Sequence, residues 1–293
     1  MEAKFVEGVG GKLAEQWVAT LMTPAFAFWA GGLAAWVYRY GWTSLLTQLT
    51  PLSEPLQIAL LVTTLLGVTT SAFVVQRFDF AVLRYLEGYW SRWFPLRWPL
   101  VYWQKNRYKK SYRRRQALMG KRKQQKLTTV EKEDLARLDW WLIHTPRQPD
   151  QLLPTRLGNL LRAAELRPRY KYGLDAVICW SRLWLLLPDA VKKDLQEARA
   201  DLNTAARVWL WSLLFMVWTM WAWWAAPVGI IAALFAYYSW ALDAARNYGE
   251  LIEATFDTHR HLLYQSLRWN LPDKPSEERQ MGQKLTEYLW QGL

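Results

Sequence analysis

Thirty-five consecutive residues, Val208–Leu242, carry no formal charge, and they lie between Arg207 and Asp243. As one helix this run would be about 50 Å long, too long for a hydrocarbon core of about 30 Å. Ala226-Pro227-Val228-Gly229 supplies turn chemistry near its middle. The run is therefore read as two short spans, Val208–Ala225 and Val228–Leu242, with the second continuing as a helix past Asp243. A single tilted span is the alternative.

Two further apolar runs meet the requirement of about 20 uncharged residues. They are Trp17–Tyr38, with Pro24 near its start, and Pro55–Gln76, and Arg39–Glu54 joins them. The first is too long for a signal-peptide core and has no convincing cleavage site, so it is expected to be retained. The fold class expected is all-α: an integral membrane protein with four transmembrane helices in two hairpins and a helical cytoplasmic domain between them. The segments are an N-terminal hairpin (1–76), an aromatic and basic juxtamembrane stretch (77–127), a helical domain (128–207), a C-terminal hairpin (208–242) and a helical tail (243–293). The 21 Trp and 14 Tyr fit this plan, since amphipathic rings settle at membrane interfaces. Trp218, Trp221, Trp223 and Trp224 are expected at the outer end of the third span.

Charge orients the plan. Between Arg77 and Arg207 there are 28 Lys and Arg against 13 Asp and Glu, so this segment carries the positive excess of a chain whose net charge is +12. The positive-inside rule places it, and with four spans both termini, in the cytoplasm. Gly88–Trp103, rich in Trp and Tyr and broken by Pro95 and Pro99, cannot be a long helix and is expected along the inner membrane surface. Next comes a basic run with no acid before Glu131: Lys105, Arg107, Lys109, Lys110, Arg113, Arg114, Arg115, Lys121, Arg122, Lys123 and Lys126. Each such cation near anionic headgroups contributes about 1 kcal/mol of attraction. Its first ten members are the anionic-lipid candidates, set against a plain topology determinant on a solvated helix. Nucleic acid is the weaker third reading, since Tyr108 and Tyr112 are interleaved.

The domain after the basic run reads as short helices. Thr128 or Thr129 caps Glu131–Ile143. Leu157–Leu166 follows Pro154, Asp175–Leu187 is apolar, and Ala190–Arg207 feeds the third span without a break. Thr155, Arg156 and Asn159 cluster at a helix start and could hold a phosphate or carboxylate, with Asp175 and Arg182 as further ligand candidates; the competing reading is a capping and ion-pair network. Pro154-Thr155-Arg156-Leu157-Gly158-Asn159, Ala163-Ala164-Glu165, Tyr172-Gly173-Leu174-Asp175-Ala176, Trp180-Ser181-Arg182-Leu183, Leu187-Pro188, Tyr248-Gly249-Glu250-Leu251 and Phe256-Asp257 resemble an uncharacterised family of bacterial multi-pass membrane proteins. The likeness covers about the second half of the chain. It implies a bacterial source and carries no activity with it.

The chain offers no nucleotide-binding, dinucleotide-binding, zinc-protease or serine-hydrolase motif, so no enzyme activity, cofactor or catalytic residue is expected. Glu253, Asp257 and His261 are spaced by four and could share a helix face. They are read as solvated partners along the helix, so no metal is assigned. The spans hold no ionisable residue, which argues against a pump or an ion-coupled transporter. Ala27, Gly31 and Ala35 form a small-residue packing ridge, while Thr63, Gly67, Thr70 and Ser71 form a polar stripe that is a candidate pore lining. The function expected is an oligomeric channel or pore-forming effector gated by its cytoplasmic domain. The alternative is a membrane-anchored scaffold or sensor that engages anionic lipid, nucleic acid or a protein partner.

Overall fold

The computed structural model describes residues 23–271 and 274–292, and among these it is all helical with no strand. The described residues divide into two compact units. The first holds those up to Leu83 together with Asn203–Ala241, and the second holds Arg84–Leu202 with those from Leu242 on.

In the first unit, residues 23–40 form α1, so residues 17–22 of the first apolar run lie outside the described chain. Trp42–Leu49 forms α2, a short helix in what the sequence presents only as a connection. Glu54–Gln76 forms α3, with Pro55 in its first turn, where a missing N–H costs nothing. It buries one narrow stripe, Val68, Ala72 and Val75, against Ala25 and Trp211. The rest of its surface is open and apolar, with Leu61 62% exposed. Asp79–Glu87 forms α4. Its Asp79 accepts from Arg207 Nε through both carboxylate oxygens, at 2.9 and 3.0 Å.

The second apolar hairpin departs from its expected layout. Once α5 (Arg97–Lys123), α6 (Thr129–Ile143), α7 (Arg156–Tyr172) and α8 (Ala176–Leu186) have passed through the second unit, α9 runs unbroken over Asp189–Phe215. The chain then tightens into a 3₁₀ turn, Met216–Met220, and reverses before α10, Ala225–Phe235. The expected span Val208–Ala225 is therefore not one helix, and the break does not fall at 226–229. Pro227 is the third residue of α10, where it starts a helix rather than ending one. Gly229 serves packing: a methyl group there would press on the Ser212 carbonyl and Met216. The reversal is held by aromatic packing. Trp218 donates from Nε1 to the Phe28 carbonyl at 3.1 Å and stacks on Trp221 at 5.1 Å. On α1, Gly31 and Gly32 receive the rings of Phe215 and Trp218; Ala35 is buried, whereas Ala27 is exposed.

Past a π turn, Ala236–Ala241, the chain continues helically as α11, Leu242–His259. Two described helices, Glu54–Gln76 and the continuous Ala225–His259, are long and apolar enough to cross a membrane. The last elements are α12, His261–Ser266, and α13, Pro275–Gln291.

The second unit is built around α7 and α11. Gly249 on α11 brings its backbone onto Ala164 of α7, so both helices present small residues where they meet. A core of Leu174, Cys179, Leu183, Phe256, Leu263 and Leu285 closes α8, α12 and α13 around them. Capping follows the sequence. Thr128 and Glu131 form a capping box on α6, Thr155 caps α7 at Gly158 N, and Asp175 caps α8 at Val177 N and Ile178 N. α7 continues past the expected Leu166 and through the buried Pro168 to Gly173, whose φ of 76° ends it. α5 begins at Arg97 with Pro99 in its first turn, so the later half of Gly88–Trp103 is helical after all. Trp93 in that segment is 94% exposed.

Gly158 and Gly173 are fixed by close backbone approach. A methyl on Gly158 would overlap the Glu87 carbonyl, and one on Gly173 would overlap the Arg279 carbonyl. Gly120, inside α5, has open space around it. Gly158→Ala and Gly173→Ala should each destabilise the second unit by about 3 kcal/mol, through overpacking. Gly120→Ala should stabilise it by up to about 1 kcal/mol through helix propensity. Unfolding of the detergent-solubilised protein, followed by tryptophan fluorescence, reads all three.

Candidate functional site

The basic run up to Lys123 becomes one helix, α5, and α6 folds back along it with three acids that reach it. Arg114 pairs with Asp134 at 3.1 Å, while Arg115 pairs with Asp139 and Lys121 with Glu131. Lys105 reaches Asp150 in the following loop at 3.2 Å. Arg107 lies over the rings of Trp103 and Trp141, and burial, with Arg156 nearby, lowers its pKa. The basic run is thus partly neutralised within its own unit. Among the described residues Lys109, Lys110, Arg113, Arg122 and Lys123 make no ion pair, and all five are exposed.

Two of these, Lys109 and Arg113, border a cleft of about 1120 Å³ in the second unit. Its walls come from α5, α6, the loop that follows α6, α7 and α11. α5 contributes Tyr108, Tyr112 and Arg115; α6 and its loop contribute Asp139, Thr145 and Arg147; α7 contributes Arg167, Tyr170 and Lys171. The tyrosine hydroxyls fix the cleft's shape. Tyr108 donates to the Arg147 carbonyl at 2.7 Å, and Tyr170 donates to Gln151 Oε1 at 2.7 Å. Tyr108 and Tyr112 stack, with ring centres 6.0 Å apart and planes 15° apart. The Arg147 guanidinium stands 5.1 Å over the Tyr170 ring.

On the inner wall the charges are matched. Arg167 pairs with Glu253 and donates to the Ile143 carbonyl at 2.5 Å; Lys171 bridges Glu253 at 2.6 Å and Asp257 at 2.9 Å. Tyr172 also donates to Asp257, at 2.7 Å. Burial works to raise the Asp257 carboxyl, but Tyr172, Lys171 and Arg260 together hold it below the ordinary Asp value. Glu253 and Asp257 therefore tie α11 to α7 rather than lining a solvated face with His261. No group of three or more His, Cys, Asp or Glu among the described residues could hold a metal ion.

The other residues singled out by the sequence lie apart from the cleft. Thr155 and Asn159 serve the chain's own backbone: the Asn159 side chain, 4% exposed, accepts from Leu153 N at 2.8 Å and donates to Leu153 O at 3.0 Å. Arg156 borders a small hollow with Trp140, His144 and Arg246. Asp175 and Arg182 belong to α8, beyond the opposite end of α7, so the five do not converge. On α3, Thr63 donates to Ala59 O at 2.8 Å and Gly67 has open space, while Ser71 accepts from Trp29 Nε1 at 3.1 Å. Thr63, Gly67 and Thr70 are exposed and Ser71 is half-buried.

A half-buried acid accompanies the start of α7. Glu87, at the end of α4, sits beneath that helix, and its carboxyl is pushed up to about 6 by burial; Glu165 adds to the rise, while Arg199 and Arg84 oppose it. No protein-family model, no curated protein and no solved structure matches the chain.

The raised Glu87 value has a sign. A carboxyl with a folded pKa above its unfolded value adds stability below the unfolded value, and loses it as pH climbs through the folded one. The second unit should therefore weaken between pH 4.5 and about 6. Glu87→Gln should flatten that change and stabilise the unit at pH 7 by about 1 kcal/mol, a figure discounted for partial exposure. Unfolding midpoints of both proteins across this range read the difference.

Proposed function

We propose that this chain is a multi-pass protein of a bacterial inner membrane, anchored by its first unit, whose second unit is a cytoplasmic sensor for an anionic ligand. The observation that carries the anchor is the surface of α3. Leu56, Ile58, Leu61, Leu65, Leu66 and Val74 are all exposed along one helix that has no charge after Glu54, and α10 adds Ile230, Ile231 and Phe235. A water-facing surface of that extent would aggregate, whereas lipid covers it at no cost. In this reading α1 and α3 form one hairpin, and the end of α9 with α10 forms the other. The positive charge of the second unit supports an orientation with both termini inside. The aromatic segment around Trp93 and Trp98 lies at the headgroups, and the basic cleft supports the sensor role.

An oligomeric channel or pore-forming effector is the second reading. Its support is the open stripe of Thr63, Gly67 and Thr70 on α3, which copies of the chain could bring to a common axis.

The anchor reading predicts that the protein stays with the membrane after an alkaline carbonate wash. Reporter fusions at residues 50 and 222 should report the outside, and fusions at residues 125 and 293 the cytoplasm. Release by carbonate would overturn the anchor. For the channel, the detergent-solubilised protein should be a symmetric oligomer that conducts in planar bilayers, with conductance altered by Thr63→Ala and Thr70→Ala. A monomer without conductance would remove that reading and leave the sensor.

A further inference from the structure

We infer that the ligand of the cleft is a nucleotide: a small molecule carrying phosphate and a planar ring together. The inference rests on the sensor reading and names the ligand class of that same site. It begins with where the second unit leaves positive charge uncompensated. Arg115, Arg167 and Lys171 on the cleft wall each have a carboxylate partner. Lys109, Arg113 and Arg147 border the same concavity and, among the described residues, have none. Three unmatched cations bordering one hollow repel one another, and a multiply charged anion bound there relieves that repulsion. Arginine and lysine side by side suit phosphate in particular, because the guanidinium fork engages two oxygens and the ammonium adds a point charge.

The ring requirement comes from the tyrosines. Tyr112 is 43% exposed beside the cleft and backed by the stacked ring of Tyr108, so it offers an aromatic face already held in place. The Tyr108 hydroxyl is spent on the Arg147 carbonyl, which fixes that ring and the loop that carries Arg147. The Arg147 guanidinium stands over the Tyr170 ring, and the side of it turned away from that ring can accept a base. Aromatic and guanidinium planes lining the same cleft as these cations make a two-part site, for base and for phosphate. The volume of about 1120 Å³ lies just above the usual range for small-molecule sites, about 300–1,000 Å³, so a nucleotide or dinucleotide has room. Thr145 and Pro146, both buried, also line it, so the feature is a concavity rather than a flat basic face.

The test uses the full chain in nanodiscs of neutral lipid, titrated calorimetrically with ATP, GTP, a cyclic dinucleotide, tripolyphosphate and inorganic phosphate. At least one nucleotide should bind more tightly than tripolyphosphate, and its affinity should fall as salt rises. Arg113→Ala should weaken binding roughly tenfold through loss of a charged hydrogen bond. Tyr112→Leu should weaken the nucleotide roughly tenfold while leaving tripolyphosphate unchanged. Lys110→Ala, an equal loss of charge on α5 outside the cleft wall, should change neither. Tripolyphosphate binding as well as every nucleotide would overturn the nucleotide assignment and leave the sensor reading standing. No binding of any soluble anion by folded protein would remove both. Loss of nucleotide binding in discs containing phosphatidylglycerol would assign the cleft to lipid headgroups instead, and binding of single-stranded RNA in preference to mononucleotides would assign it to nucleic acid.

Discussion

Helix α11 lies on α7 at Gly249 and Ala164, and the second unit is arranged around that closeness. Because neither helix presents a large side chain there, the flanking charges come within reach of one another. Arg167 and Lys171 meet Glu253, and Lys171 and Tyr172 meet Asp257. Partly buried ion pairs of this kind give register more than stability, since desolvation offsets much of their attraction. Here they set which face of α7 turns toward α5. The cleft is the space left between that face and the basic helix. Shifting α11 along α7 would unpair Glu253 and withdraw the inner wall of the cleft.

A second level of organisation is the sorting of charge. α6 answers α5 with Glu131, Asp134 and Asp139, so much of the basic run is matched inside its own unit. The cations left over are not spread evenly, and Lys109, Arg113 and Arg147 share one hollow. The first unit shows the opposite chemistry. There α3 has no charge between Glu54 and Arg77, and the pair Asp79–Arg207 is the first ionic contact after it. One chain thus carries a surface suited to lipid and a separate concave surface suited to a soluble anion.

Much of the helical plan was legible in the sequence because it rests on local rules. Thr128 with Glu131, Thr155 at the start of α7 and Asp175 at the start of α8 act through groups within a few residues. α9 runs on past Arg207 as its unbroken pattern required, and α11 continues the apolar run past Asp243. What could not be read was tertiary. The reversal at 216–224 contains neither Gly nor Pro and is held by Trp218 against Phe28, while Pro227, the obvious breaker, opens a helix. Pro168 sits inside α7 because packing in the core outweighs its local cost. The cleft was visible only as Tyr108 and Tyr112 among basic residues. Arg147, Tyr170 and Lys171 come from distant segments that no spacing rule connects.

The central claim is that the two units occupy two solvents, lipid and water. The chain suits a direct measurement, because its one cysteine, Cys179, is fully buried and burial pushes its thiol up to about 11. Nitroxide labels at new cysteines would therefore report against little background. In nanodiscs, labels at Leu61→Cys and Ile231→Cys should be relaxed by lipid-soluble oxygen and shielded from a water-soluble nickel chelate, whereas labels at Val130→Cys and Val177→Cys should show the reverse. Equal access of the chelate to all four positions would contradict the account.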